Sequence, residues 1–179
     1  VALALWLAAT AEAKFPTFPT TAIVPGQSIG GVSIGMTKPQ AAAKWGRFEN
    51  CFNFRGTTTC EFRALSTLPT GLKLDNPYVQ VTLKASRIVA IEVEFAENAA
   101  LDPKLQRLKT SKNVRLGSNL PAARTKYRIR LTGRGEANES HALLKSPGNR
   151  CTQFYAPDKP YTRITSITVG ICKSVSLLL

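Results

Sequence analysis

Residues 26–30 read Gly26-Gln27-Ser28-Ile29-Gly30, the G-x-S-x-G spacing in which a serine on a sharp strand-to-helix turn attacks an ester or amide carbonyl. Such a serine needs a base and an acid. The chain holds one histidine, His141, and Asp75 or Asp102 would have to serve as the acid. The order Ser, Asp, His is one that hydrolases use, but the elements that must position them are missing. Val24-Pro25 precede the serine, and the alternating Gly31-Val32-Ser33-Ile34-Gly35 follows it, so the first helix start comes only at Lys38. The βαβ series that builds a hydrolase sheet is also absent. The reading is therefore a non-enzyme whose glycines permit a tight turn or a strand bend. One histidine and four cysteines set aside for disulfides leave no metal ligand set. Phosphate-loop and dinucleotide glycine patterns are absent, so no cofactor is expected. Asn138-Glu139-Ser140 is a formal glycosylation sequon.

The bulk properties fit a folded domain: 179 residues, 44% hydrophobic and 20% charged, are enough for a core. The apolar start VALALWLAA, followed by Ala11-Glu12-Ala13, has the form of a secretory signal core and cut site, too short to span a bilayer. It predicts cleavage near Ala13, a mature chain from about Lys14, and a peptide whose start precedes Val1. The product is expected to be secreted or extracytoplasmic. Cys51, Cys60, Cys151 and Cys172 agree: an even count without C-x-x-C spacing favours disulfides. Three connectivities are open, and the local pairs Cys51 with Cys60 and Cys151 with Cys172 are preferred because each falls within one apparent unit. Net charge is +13, unevenly spread. Residues 1–103 carry nine basic and eight acidic groups, whereas 104–179 carry fifteen and three. Residues 104–134 alone hold ten Lys or Arg and no acid, a field that attracts anionic partners or simply solubilises the chain.

Local patterns predict the elements. KFPTFPTT reads as an exposed, extended lead-in. Thr37 and Gln40 form a capping box with Pro39 in the first turn, so a short helix should run over 38–45 and stop at Gly46. Residues 114–127 repeat this plan 82 positions on, with Val32, Gly35, Pro39, Ala41 and Lys44 echoed by Val114, Gly117, Pro121, Ala123 and Lys126, and Ser118 or Asn119 as the cap. Residues 87–93 are echoed in turn by 163–169, which suggests duplication of a small unit. In 78–84 and 89–95 the apolar residues are odd-numbered, so the strands should pair through the loop Ala85-Ser86-Arg87, with Gln80 opposite Glu92 and Tyr78 opposite Glu94 on an open polar face. Tyr127, Ile129 and Leu131 point inward if that segment is a strand, which exposes Arg128 and Arg130.

The run Gly35-Met36-Thr37-Lys38-Pro39-Gln40, continuing through Gly46 to Glu49-Asn50-Cys51 and then Cys60, resembles the first repeat of the β-lactamase inhibitory protein family. The wider spacing of Cys151 and Cys172 is similar to its second repeat. The resemblance implies two helix-loop-helix and sheet units side by side, whose curved sheet and loops grip a partner protein. The expected fold class is thus α+β: two tandem units, each a short helix pair packed on one face of an antiparallel sheet. The expected organisation is a signal remnant at 1–13, an extended linker at 14–22, a first unit at 23–102 and a second at 103–179. The function expected is a secreted, non-catalytic protein-binding module, with inhibition of an extracellular enzyme as its specific form. Tyr78, Gln80, Lys84, Arg128 and Arg130 are its candidate contacts. The partner is an extracellular protein with an acidic surface; the alternative is electrostatic binding of an anionic wall polymer, membrane surface or nucleic acid through the basic second half.

Overall fold

The computed structural model describes residues 15–67, 73–95, 103–129, 131–134, 140–157 and 163–176, with backbone alone for 63–67, 73–77, 131–134 and 175–176. The expected signal remnant lies outside the described residues. Three short strands come first: Ala22–Val24 (β1), Ser28–Ile29 (β2) and Val32–Ser33 (β3). Helix α1, Lys38–Trp45, starts as its capping chemistry predicts, with the Thr37 hydroxyl accepting from Gln40 N and the Gln40 side chain accepting from Thr37 N. It ends at Gly46, whose φ of 100° suits glycine alone. Its inward residues Ala41 and Trp45 are buried, and Trp45 Nε1 donates to Gly30 O at 2.9 Å.

Asn50–Phe54 (β4), Thr57–Thr67 (β5), Lys73–Lys84 (β6) and Arg87–Glu94 (β7) follow as a meander. Then come Pro103–Arg107 (α2), Lys109–Thr110 (β8) and Leu120–Tyr127 (α3). A second meander is built from Leu131–Arg134 (β9), Ser140–Ser146 (β10), Arg150–Ala156 (β11) and Ser166–Ile171 (β12), with Cys172–Ser176 (α4) directly after it. The strands form two sheets: a small one in the order β3-β2-β1-β8 and a large antiparallel one in the order β4-β5-β6-β7-β12-β11-β10-β9.

This corrects the expected fold class. The chain is mostly β, one continuous eight-stranded sheet beside a four-stranded one, and its helices are short single elements of five to eight residues among the described residues. There are not two helix-pair units set side by side. The 82-residue echo has a local source: Gly35 N donates to Ile88 O and Ile88 N to Met36 O, while Gly117 N donates to Ile164 O and Ile164 N to Ser118 O. Both helix starts are hooked to a strand start in the same way, so the same residue types recur. Pairing of β7 with β12, Ile91 opposite Val169, then makes the sheet continuous.

Two further expectations change. Residues 127–129 are not a strand, because α3 runs through Tyr127 and Arg128 closes it in the left-handed region at φ 55° and ψ 39°. The inward pull on Tyr127 comes instead from stacking on Phe154, with centroids 5.9 Å apart. The lead-in is not wholly exposed: Phe15 is buried, and Phe18 meets Trp45 edge-on at 5.6 Å. Helices α1, α2 and α3 and the small sheet share one core with the inner face of the large sheet, which contributes Phe62, Val79, Val93, Ile167 and Phe154.

Candidate functional site

The serine motif does not assemble a triad. Ser28 lies in β2, paired with Val24 and Ser33, and β3 follows it, with no helix before α1. Its glycines serve packing. Gly26 adopts φ 70°, its N donates to the buried Thr152 Oγ1 at 2.7 Å, and a Cβ there would meet Ser146 Cβ at 2.6 Å. Gly30 adopts φ 55°, and a Cβ there would strike Phe18 Cδ1 at 2.4 Å. His141 lies on β10, alternating with the core residue Ala142 and therefore facing the other side of the large sheet from the small one. Its Nδ1 accepts from Gln153 Nε2 at 2.9 Å, and its ring lies 5.1 Å from Tyr155. Asp75 lies on β6, and Asp102 lies outside the described residues.

That outer face carries the polar network. The register places Glu61, Gln80, Glu92, Thr168 and Gln153 in one cross-strand row, and Tyr78, Glu94, Ser166, Tyr155 and His141 in the next. Gln80 opposite Glu92 and Tyr78 opposite Glu94 are the pairs that the odd-numbered apolar pattern predicts. The turn achieving this has two residues, Ala85 and Ser86, both at positive φ, with a bulge between Thr82 and Leu83 restoring the register that a three-residue loop was expected to give. Gln80 Nε2 donates to Glu92 Oε2, Ser166 Oγ donates to Glu92 Oε1 at 2.8 Å, and the Tyr78 hydroxyl donates to Glu94.

Burial shapes the ionisation here. It raises the Tyr78 hydroxyl far above its ordinary value, with Glu92 and Glu94 adding to the shift. It also raises Glu94 to about 7, a rise that the Tyr78 hydrogen bond opposes and Glu92 reinforces. The expected open polar face is thus largely closed, since Glu61, Glu92, Gln153, His141, Ser166 and Thr168 are all buried. Cys151 alternates onto the same face as Gln153, and its disulfide to Cys172 draws α4 across that face, where it packs on β7, β11 and β12. Tyr78 and Gln80 belong to this internal network. Both expected disulfides are formed, Cys51 with Cys60 and Cys151 with Cys172.

The remaining candidates separate. Lys84 is exposed at the β6–β7 turn, Arg128 is exposed at the end of α3 on the helix side of the sheet, and Arg130 lies outside the described residues. Two surface features were not singled out from the sequence. The first is β4, which ends the large sheet and is exposed at all five positions, with Phe52 at 48% and Phe54 at 63%. Its five residues, Asn50-Cys51-Phe52-Asn53-Phe54, carry no charge, and the cross-strand disulfide to β5 holds them extended. The second is the end of the large sheet that gathers the turns at 54–57, 84–87 and 146–150, where every charged residue is Lys or Arg.

No family model matches the chain, and no curated protein is significantly similar to it. Among solved structures it is similar to an extracellular protein containing a SCP domain from Bacillus anthracis, at 14% identity and TM-score 0.51, over 80% of this chain and 45% of that one. It is likewise similar to a cysteine-rich secretory protein from Staphylococcus aureus, at 14% identity and TM-score 0.51, over 85% of this chain and 47% of that one. The chain spans less than half the length of these proteins, and at such identity the likeness speaks for fold alone. It corrects the resemblance to the β-lactamase inhibitory protein family, which has a different fold. The shared residues from Gly35 to Gln40 are turn and capping chemistry, and the cysteine spacings report a cross-strand staple and a strand-to-helix staple, features that many short helices and hairpins can use.

Proposed function

We propose that this chain is a secreted, non-catalytic protein-binding module that accepts an extended, acidic segment of an extracellular partner along β4. The exposed edge strand with Phe52 and Phe54 carries this reading: its outer N–H and C=O groups point away from β5, and the Lys or Pro that usually blunts an edge is absent from it. Strand addition would supply main-chain hydrogen bonds, and the two rings would contact alternate side chains of the added strand. The basic net charge of +13 favours an acidic segment. Both disulfides and the extracellular or secretory character of the similar solved structures support secretion. Inhibition would follow if the bound segment belonged to an enzyme's working surface. Selection from a random peptide display library, with the folded protein as bait, tests the reading. Enriched peptides should be acidic with alternating apolar residues, and Phe52→Ala with Phe54→Ala should weaken them at least tenfold. Peptides indifferent to both substitutions would contradict the reading.

A further inference from the structure

Antiparallel pairing brings three chain reversals and the end of β12 to one end of the large sheet. Arg55 sits in the β4–β5 turn, Lys84 and Arg87 flank the β6–β7 turn, Lys145 and Arg150 flank the β10–β11 turn, and Lys173 follows β12. All are exposed except the half-buried Arg150. Residues 54–57, 84–87, 145–150 and 170–176 contain no Asp or Glu. The outer-face acids Glu61 and Glu92 stand four and five residues up their strands, about 13–16 Å away at strand rise. With strands about 4.8 Å apart, the cations run over about 25 Å, one or two per position at intervals of about 7–10 Å. That interval is close to the Debye length in physiological salt, so their fields merge into a continuous positive edge.

We propose that this edge binds a linear phosphodiester polymer of the anionic wall type, gripping the backbone phosphates of a poly(glycerol phosphate) chain laid across the strand ends. A row of single cations matches charges repeated along a flexible chain better than a compact acidic patch. Arg55 and Arg150 offer the forked donors that suit phosphate, while Arg87, whose Nη1 donates to Gly35 O at 3.1 Å, keeps its other guanidinium donors for it. Nucleic acid is disfavoured because the only aromatic residue in these turns is Phe54, whose ring already lies under the Arg55 guanidinium at 5.1 Å, so bases find no stacking platform along the row. In the basic stretch 104–134, the Lys112 ammonium is engaged by Lys126 O at 2.6 Å and by the Tyr127 ring. The proposal goes beyond the β4 contact and does not depend on it.

Fluorescence anisotropy with labelled poly(glycerol phosphate) tests it on the folded protein. Six phosphate contacts give a log-log salt slope of about −4, so affinity should fall about 300-fold from 50 to 200 mM salt. The combined Arg55→Gln, Lys84→Gln, Arg150→Gln variant should halve the slope and reduce that fall to about 20-fold. The control Arg107→Gln, Lys109→Gln, Arg115→Gln should bind as the parent does. Phe52→Ala, which tests the β4 contact without removing the ring under Arg55, should leave polymer binding intact. An unaltered slope in the sheet-end variant, or loss confined to the control, would overturn the proposal. So would tighter binding of labelled oligothymidylate than of the polymer, which would indicate nucleic acid, or tighter binding to phosphatidylglycerol vesicles, which would indicate a membrane surface.

Discussion

At Gly30 the constraint is steric on two counts. Its φ of 55° is costly for any residue with a Cβ, and the Phe18 ring occupies the space that a Cβ would need. Gly30→Ala is expected to lower stability by about 1–3 kcal/mol in urea unfolding, and a change within error would remove the packing explanation of the G-x-S-x-G motif. Glu94 makes a prediction of a different kind. Its carboxyl is raised from 4.5 to about 7, so the folded protein retains a proton that the unfolded chain has already lost. The contribution of this group to stability is full below about pH 4.5 and declines as pH rises to about 7. Glu94→Gln should therefore shrink the drop in urea midpoint between about pH 5 and about pH 8. An equal drop in both proteins would show that the buried pair with Tyr78 does not control it.

At the scale of elements, what was legible in the sequence was whatever is fixed within a few residues. The Thr37 and Gln40 box started α1 where it should, and the period-two apolar pattern set Gln80 against Glu92 across β6 and β7. Asn119, left open with Ser118 as the cap, is the one that accepts from Ala122 N, at 3.1 Å. Asn119→Ala should cost about 1 kcal/mol, read by thermal melting, and more than Ser118→Ala, whose Oγ accepts from Arg115 N in the preceding turn; the reverse order would move the cap. Residues 127–129 misled because alternate apolar residues also occur where a helix ends in a left-handed cap. Strand β4 escaped notice because Asn50-Cys51-Phe52-Asn53-Phe54 lacks β-branched residues, and its extension comes from pairing with β5. The surface candidates fared likewise: alternation identified the face of Tyr78 and Gln80, but only the neighbouring strands and α4 reveal that it is largely closed.

Over the whole molecule, the decisive contact is the one that no local pattern encodes, the pairing of β7 with β12 that joins two meanders into one sheet. It leaves β4 as one end strand and lines up three reversals and the end of β12 on one border. Charge follows from this geometry: Glu61, Glu92 and Glu94 sit within the outer face, while one border is wholly basic. A single sheet of this length also predicts cooperative loss. Substitution at the join, such as Ile91→Ala, should lower stability by about 2–5 kcal/mol and still give one coincident transition by fluorescence and circular dichroism; two separated transitions would mean that the meanders unfold independently.

The most direct test of the binding account is amide hydrogen exchange of the folded protein with and without a peptide enriched by display. New protection concentrated at residues 50–54, with the rest of the sheet unchanged, is the predicted result. Protection that appears elsewhere and leaves those amides as fast as in the free protein would contradict it.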